Sequence, residues 1–388
     1  RADRVDRLAR LAIDALIRPT QRVAANVIVG GSLPAAELLH AWSAFKSRAS
    51  NLLSERLMKP PLVVAITGAS SGIGRATARR FAVQRAHVAL LARGSEGLAA
   101  TAREVVALGG RALVLPVDVA DPEQVNAAVL RIECDLRPLD VWLNNAPTPV
   151  FGRADQVSSD ELRRVTDVAY HGYVFGTLAA LRVMRPRGRG TIIQVGSALA
   201  YRGRPLEAAQ SAAKHAVRGF TQALRGELVR DNVPIRLTEV QLPAVNTPQY
   251  RHVENKLGVE AQPVAPIYQP ELAADAIHFA ATHKRREVWV GGSTISSILF
   301  GRRAKTVFDH ATAAIARDGG ASALWQPVPG DHGAHGPYEF RARNRDPLAR
   351  VASWIGAGGV QVMGALAAVA GGAATTLLAG VILRRARA

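Results

Sequence analysis

Short apolar runs alternate with amphipathic stretches from residue 61 to residue 293, and this alternation constrains the fold more than any other feature. The apolar runs predict strands at Leu62–Ile66, His87–Leu91, Ala112–Val117, Val141–Leu143, Thr191–Val195, Ile235–Val240 and Glu287–Val290. The stretches between them predict helices at Arg75–Gln84, Ser95–Leu108, Pro122–Cys134, Ser159–Met184, Glu207–Val229 and Pro270–His283. Strands that alternate with helices in this way form parallel βαβ units. The sequence therefore predicts an α/β fold with a doubly wound parallel sheet, whose strands are apolar because both faces are buried.

Residues 1–60 precede this domain as a predicted basic, helical extension. Helical spacing relates the apolar residues Val5, Leu8, Ala12 and Leu16. Such a helix either packs on the body of the protein or lies on a membrane surface. Met58 stands just before the domain and could serve as a start, so the sequence leaves open whether residues 1–57 belong to the native product.

Two further regions follow the domain. Residues 294–350 form a C-terminal extension with one predicted helix at Ala304–Ala316, and residues 351–388 form an apolar segment with a basic tail. Within it, Val351–Leu383 carries no charge over 33 residues, which is long enough to span a bilayer. We predict a membrane-associated helix here and a location on the cytoplasmic face of a membrane, or else in the cytoplasm. Because 16 of the 33 residues are Gly or Ala, an interfacial or partner-packed helical hairpin is the alternative.

The formal net charge of +18 raises the question of an anionic partner. Residues 1–60 carry +5 and residues 341–388 carry +6, which leaves +7 for the 280 residues between them. No recognised nucleic-acid module accompanies this charge, so we predict no nucleic-acid partner. The single cysteine, Cys134, excludes a disulfide framework and a multi-cysteine zinc site. The segment Asp331–His335 offers two histidines without a third ligand, so we predict no metal.

A glycine-rich turn, Thr67-Gly68-Ala69-Ser70-Ser71-Gly72-Ile73-Gly74, joins the first predicted strand to the first predicted helix. Glycine lets the backbone turn sharply and approach a ligand, and a helix N-terminus offers free N–H groups and a partial positive charge. This combination is typical of a pyrophosphate-binding site when a strand precedes it and a helix follows it.

The turn resembles that of the short-chain dehydrogenase/reductase family, and the resemblance extends over about Pro61–Ser293. It implies a Rossmann-type fold, a nicotinamide cofactor and a small alcohol or ketone as substrate, and it leaves a homo-oligomer open. The cofactor contacts it implies are Thr67, Gly68, Ser70, Ser71, Gly72, Ile73, Gly74, Asp118, Asn145, Ala146, Lys214 and Thr247. Pro147 and Ala244 stand where the family has glycine.

Arg93 follows the second predicted strand, and its charge bears on the type of cofactor. An acidic residue at this position would bind the ribose 2′-hydroxyl of NAD, whereas a guanidinium group can pair with the 2′-phosphate of NADP. We therefore predict NADP(H).

Two of the four residues that the family uses for catalysis are present. Ser197 matches the serine that binds the substrate oxygen, and Lys214 matches the lysine that holds the nicotinamide ribose. Gln210 stands at the tyrosine position, four residues before Lys214, and Ala169 stands at the asparagine position. A glutamine amide can hydrogen-bond an oxygen but cannot exchange a proton near neutral pH, and losing a positioned acid–base group costs about 10²–10⁴ in rate.

Two hypotheses follow. The first is an NADP-dependent oxidoreductase that acts on an alcohol or ketone. If the protein is membrane-associated, a lipophilic substrate is favoured. The second is a non-catalytic NADP-binding protein that keeps the fold but not the chemistry. Tyr201, His171 and His215 are the candidates for a substitute acid–base group, although packing or surface roles are the more ordinary interpretation of each.

Overall fold

The structure is a computed structural model that describes residues 60–258, 261, 263, 265–300, 324–338 and 342–343. The predicted N-terminal extension, the predicted helix at Ala304–Ala316 and the apolar segment Val351–Leu383 lie outside the described residues.

A parallel sheet forms the centre of the fold, and its strands follow the apolar runs of the sequence. The strands are β1 (Val63–Thr67), β2 (His87–Ala92), β3 (Arg111–Pro116), β4 (Val141–Asn144), β6 (Thr191–Ser197), β7 (Arg236–Leu242) and β10 (Glu287–Trp289). Their order in space is β10-β7-β6-β4-β1-β2-β3, with every pairing parallel. Two-residue strands pair outside this sheet: β5 (Val150–Phe151), β8 (Glu254–Asn255), β9 (Ile267–Tyr268) and β11 (Ala342–Arg343).

Helices separate the strands along the chain. They are α1 (Gly72–Ala82), α2 (Ser95–Ala107), α3 (Pro122–Asp135), α4 (Ser159–Thr166), α5 (Gly172–Met184), α6 (Ala208–Arg230), α7 (Gln249–His252), α8 (Pro270–Thr282) and α9 (Gly292–Phe300). The predicted α/β fold with a Rossmann-type parallel sheet is confirmed, and the predicted strands and helices lie within about three residues of the observed ones.

The sequence prediction was wrong at two places. A single helix was expected over Ser159–Met184, but Asp167–His171 form a π turn between α4 and α5, with buried Ala169 inside it. One inserted residue shifts the phase of an amphipathic pattern by only about 100°, so the periodicity does not reveal it. The alternation of strands and helices was also expected to stop after Gly292, with the next helix only at Ala304–Ala316, whereas the uncharged sequence Gly292–Phe300 forms α9 directly after the last strand.

The core has two layers because side chains alternate along each strand. Val64 and Ile66 of β1 pack with Phe81 on the face covered by α1, α2 and α8. Val63 and Ala65 pack on the opposite face, in the cluster covered by α3, α5 and α6. Apolar residues therefore cover both faces of β1, which explains the unbroken hydrophobic run in this strand.

The site is located by the strand order. The chain runs from β1 to β2 on one side of the sheet and later returns to place β4 on the other side of β1. The loops after β1 and β4 diverge at this switch point, and ligands of doubly wound sheets bind in the crevice between such loops.

Among the residues that the structure describes, no helix has both the length and the apolarity needed to cross a membrane. The segment for which a membrane helix was predicted, Val351–Leu383, lies outside them.

We expect Gly74→Ala to destabilise the fold, because a Cβ on Gly74 would press against the backbone of Gly68 and leave no space for the first turn of α1. Overpacking of this kind costs roughly 1–3 kcal/mol in the free energy of unfolding. The matched control is Gly219→Ala on α6, where no atom lies within 4 Å of the added methyl group. Chemical unfolding of both variants measures the effect, and equal stabilities would contradict this view of the turn.

Candidate active site

A cavity of about 820 Å³ opens at the carboxyl ends of the strands. At one end it is lined by the glycine-rich turn, and at the other by Ser197, Gln210 and Lys214. A single cavity therefore joins the predicted cofactor loop to the predicted catalytic positions.

The glycine-rich turn presents its backbone to the cavity. Gly68 and Gly72 have φ values of +67° and +55°, which residues with a Cβ rarely adopt. Ser70, Ser71 and Ile73 line the cavity beside them, at the N-terminus of α1. The turn thus has the geometry of an anion-binding loop.

Thr67 and Asn145 support the turn from behind. The buried Thr67 hydroxyl donates to the carbonyl of Leu143 at 3.2 Å and accepts from the Asn145 N–H at 2.8 Å and the Ala146 N–H at 3.2 Å. The Asn145 amide donates to the Thr67 carbonyl at 2.9 Å. These bonds join the ends of β1 and β4. Asn145 and Ala146 also line the cavity, whereas Thr67 and Gly74 are packed behind it.

Arg93 and Asp118 lie at the end of the cavity beside β2 and β3. An Arg93 nitrogen donates to the carbonyl of Trp325 at 2.7 Å, and Arg164 donates to a carboxylate oxygen of Asp118 at 2.6 Å. The pKa of Arg93 is lowered, chiefly by burial and next by the charge of Arg164. Two guanidinium groups therefore lie near one carboxylate, and of the two only Arg93 lines the cavity.

At the other end, Gln210 and Lys214 are 7% and 6% exposed and lie one turn apart on α6. The Ser197 hydroxyl also lines the cavity and accepts from the Leu199 N–H at 3.3 Å. The Gln210 Oε1 atom is buried and has no hydrogen-bond partner among the described residues. The same is true of the hydroxyl groups of Thr247 and Thr294, which line the same cavity. A buried polar atom without a partner costs free energy, so these atoms require a ligand or water.

The Lys214 ammonium is held by two buried hydrogen-bond acceptors. Its Nζ donates to the Val195 carbonyl at 2.7 Å and to the hydroxyl of Tyr173 at 3.0 Å. Tyr173 is buried, and burial raises the pKa of its phenol. Burial lowers the pKa of Lys214 to about 7, because desolvation disfavours the charged form. This lysine can therefore hold or release a proton near neutral pH.

The substitute acid–base groups considered from the sequence do not line this cavity. The Tyr201 hydroxyl donates to Glu287 at 2.6 Å, and the pKa of this phenol is raised, chiefly by burial and next by this hydrogen bond. His171 contacts Asp167 at 2.9 Å, and His215 contacts the Ser211 carbonyl at 2.8 Å. Ala169 is buried in the π turn.

Sequence reasoning missed three contributions to the site. Tyr173 escaped notice because it meets Lys214 only through the fold, 41 residues away along the chain. Thr294 lies on the helix α9, which was not predicted, although the hydroxyl-rich sequence Ser293-Thr294 was a usable signal. The third contribution is the segment Leu324–Tyr338, from which Pro327, Val328, Gly330 and His332 line the cavity.

The histidines of this segment have separate partners. His335 contacts Glu271 at 2.9 Å, and Asp331 pairs with Arg75. Within the described ranges, no three groups of the kind that hold a metal ion cluster together.

Comparison with known proteins assigns the class. The family model for short chain dehydrogenases matches residues 62–257, just over half of the 388 residues. The chain therefore belongs to the short-chain dehydrogenase/reductase family of oxidoreductases, as the resemblance of its glycine-rich turn implied.

Individual relatives agree with this class. The chain is 35% identical over 243 residues to the uncharacterized oxidoreductase YxnA of Bacillus subtilis, which covers 62% of this chain and 68% of YxnA. A metagenomic short-chain oxidoreductase solved in complex with NADP is 27% identical, with a TM-score of 0.51, over 59% of this chain and 96% of that one. A short chain dehydrogenase/reductase from Burkholderia phymatum, solved in complex with NAD, is 22% identical, with a TM-score of 0.55, over 63% and 92% of the two chains. At that identity the last likeness concerns the fold alone.

We expect Lys214→Met to flatten the pH dependence of stability. Between pH 7 and about pH 10 an unfolded chain keeps the lysine proton, whereas folded Lys214 has lost it. The free energy of unfolding contributed by this group must therefore rise with pH across that window. Chemical unfolding of wild type and variant at pH 7 and pH 9.5 measures the difference, with Lys284→Met at an exposed lysine as control. Parallel pH profiles for wild type and Lys214→Met would contradict the buried ammonium.

Proposed function

We propose that the protein binds NADP(H) in this cavity and holds an alcohol or ketone substrate against Ser197 and Gln210. The observation that carries the proposal is that one cavity joins the glycine-rich turn to Ser197, Gln210 and Lys214. The class of oxidoreductase follows from the family, whereas the cofactor type and the substrate are our proposal.

The cavity suits a nicotinamide dinucleotide because buried polar atoms of Gln210, Thr247 and Thr294 in its lining have no partner among the described residues. Thr247 would meet the nicotinamide or phosphate portion, and the N-terminus of α1 would receive the pyrophosphate. Arg93 and Asp118 would hold the adenosine portion, and Lys214 would hold the nicotinamide ribose. The bound cofactor would supply the hydride that converts a ketone to an alcohol.

The protein must supply the proton for the same conversion. Gln210 can orient the substrate oxygen through its amide, but it has no titratable proton. Lys214 lies one turn away, and its pKa of about 7 makes it our candidate proton carrier. The Tyr173 hydroxyl and the Val195 carbonyl hold this ammonium in place.

A lipophilic substrate is favoured by the cavity walls. Apolar and aromatic side chains contribute to these walls, namely Phe151, Leu199, Leu242, Tyr250, Pro266 and Tyr268. Three further points stay predictions: that Val351–Leu383 anchors the protein to a membrane, that the protein forms a homo-oligomer, and that the chain divides into the four regions given above.

A non-catalytic NADP-binding protein is the second candidate, and a specific observation favours it. Gln210 and Ala169 occupy two positions where the family places catalytic side chains. Their loss leaves the cofactor end of the cavity intact, so binding without turnover is chemically consistent.

We expect NADPH to bind more tightly than NADH, and Arg93→Ala to remove the preference. A charge-assisted hydrogen bond to a 2′-phosphate contributes roughly 1.5–3 kcal/mol, or about 10-fold to 100-fold in affinity. Fluorescence titration with both cofactors measures this, and Arg153→Ala at an exposed arginine is the control. Equal affinities of the wild type for the two cofactors would refute the assignment.

We expect slow or absent NADPH-dependent ketone reduction by the wild type, and a gain of about 10²-fold or more in Gln210→Tyr. The new phenol would stand one turn from the Lys214 ammonium, which favours its ionised form. Gln210→Phe is the matched control, because it adds the ring without the hydroxyl group. The assay follows NADPH oxidation against a panel of apolar ketones.

Two results would count against this account. Rapid turnover by the wild type would mean that the native residues already carry the proton, and Lys214→Met would then test the lysine. A Gln210→Tyr protein that binds NADPH yet reduces no ketone would favour the non-catalytic candidate.

A further inference from the structure

Residues 324–338, which we call the strap, lie beyond the part of the chain that the family model matches. The strap nevertheless reaches the glycine-rich turn. The Gly72 N–H, at the first position of α1, donates to the Gly333 carbonyl at 3.1 Å. Pro327, Val328 and His332 line the same cavity as this turn. A ligand that fills the cavity must therefore contact both the turn and the strap.

Ion pairs of a buried arginine fix the middle of the strap. The guanidinium group of Arg75, on α1, is 7% exposed and bridges Glu104 of α2 and Asp331 of the strap. Ala334 is buried between Ala76 of α1 and residues of α8. The strap is thus anchored on the two helices beside the phosphate-binding turn.

The end of the strap is seated on the loop after β7. The Gly336 and Tyr338 N–H groups donate to the backbone and side-chain oxygens of Asn246, at 3.3 Å and 3.0 Å. A Cβ on Gly336 would lie 2.5 Å from the Thr247 carbonyl oxygen, so only glycine fits. Gly330 and Gly333 have φ values of +104° and +68°, which also favour glycine. The sequence of the strap therefore encodes this path.

The beginning of the strap organises the adenosine end of the cavity. The Leu324 carbonyl accepts from Arg93 at 3.3 Å and from Arg164 at 3.1 Å. One carbonyl oxygen thus holds together two guanidinium groups that would otherwise repel each other. Arg93 lines the cavity, whereas Arg164 is also paired with Asp118, so the guanidinium group held in place for a phosphate group is that of Arg93.

From these contacts we propose that the strap is the outer wall of the cofactor site, which retains the dinucleotide and, together with Arg164, positions Arg93 for a 2′-phosphate. The inference rests on the proposed binding of NADP(H). The strap acts as a wall rather than a plug, because a cavity of about 820 Å³ remains with the strap in place. Arg164 and the strap thereby become determinants of cofactor affinity outside the glycine-rich turn.

Two variants loosen the strap at separate places. Gly336→Ala forces it away from Thr247, and Asp331→Asn removes its charge while Arg75 keeps Glu104 as a partner. We expect NADPH to bind about tenfold more weakly to Gly336→Ala and about threefold more weakly to Asp331→Asn, with faster release in both. The controls are Gly226→Ala, where nothing lies within 4 Å, and Asp155→Asn, in an exposed ion pair. Fluorescence titration and stopped-flow displacement of NADPH give the affinity and the release rate.

Hydrogen exchange of the full chain supplies a second measurement that needs no variant. NADPH should slow amide exchange in peptides covering residues 324–338, and thermal unfolding without cofactor reports whether each variant is folded. Unchanged exchange, or unchanged affinity and release in folded variants, would overturn the proposal. Tighter or faster binding by the variants would also overturn it, because the strap would then be an inhibitory plug. If neither NADPH nor NADH binds to the wild type or to either variant, the proposed function itself fails.

Discussion

The pairing of β1 with β4 is the constraint on which the rest of the site depends. Because β2 and β4 flank β1 on opposite sides, the loops after β1 and β4 separate and leave a crevice between them. The Thr67 hydroxyl joins the two strand ends, since it donates to Leu143 and accepts from Asn145 and Ala146. A threonine without a direct place in the cavity therefore fixes the spacing of the loops that form it. The crevice between these loops therefore depends on the hydrogen bonds that join the two strand ends.

The fold was predictable from the sequence because parallel strands are buried on both faces. The run Leu62–Ile66 carries no polar residue, and the helix Gly72–Ala82 follows it along the chain. The π turn at Asp167–His171 and the helix α9 were not predictable in the same way. The π turn inserts one residue into a helix, which barely alters the periodic pattern. The helix α9 begins directly after a strand and has no charged residue that would mark an exposed face.

The candidate site was predictable where its residues are neighbours in sequence, as in the turn Thr67–Gly74. It was not predictable where residues meet only through the fold. Arg93 contacts Leu324 across 231 positions of the chain, and no local pattern connects them. The glycines at 330, 333 and 336 recur every three residues without a helix around them, and that unusual spacing was the one available signal for the strap.

The substitution at Gln210 changes what the lysine beside it can do. A phenol at that position could exchange a proton with Lys214, whereas an amide cannot, and the Lys214 ammonium is hydrogen-bonded to other groups. The Tyr173 hydroxyl and the Val195 carbonyl supply two acceptors, which is enough to hold the group but not enough to replace the water it has lost. This loss of hydration lowers the pKa of Lys214. Hydroxyl groups of a bound ligand would accept further hydrogen bonds from the ammonium and so replace part of the lost hydration. A ribose offers such hydroxyl groups, so the Lys214 ammonium favours ribose binding even though the family's acid–base residue is absent from this site.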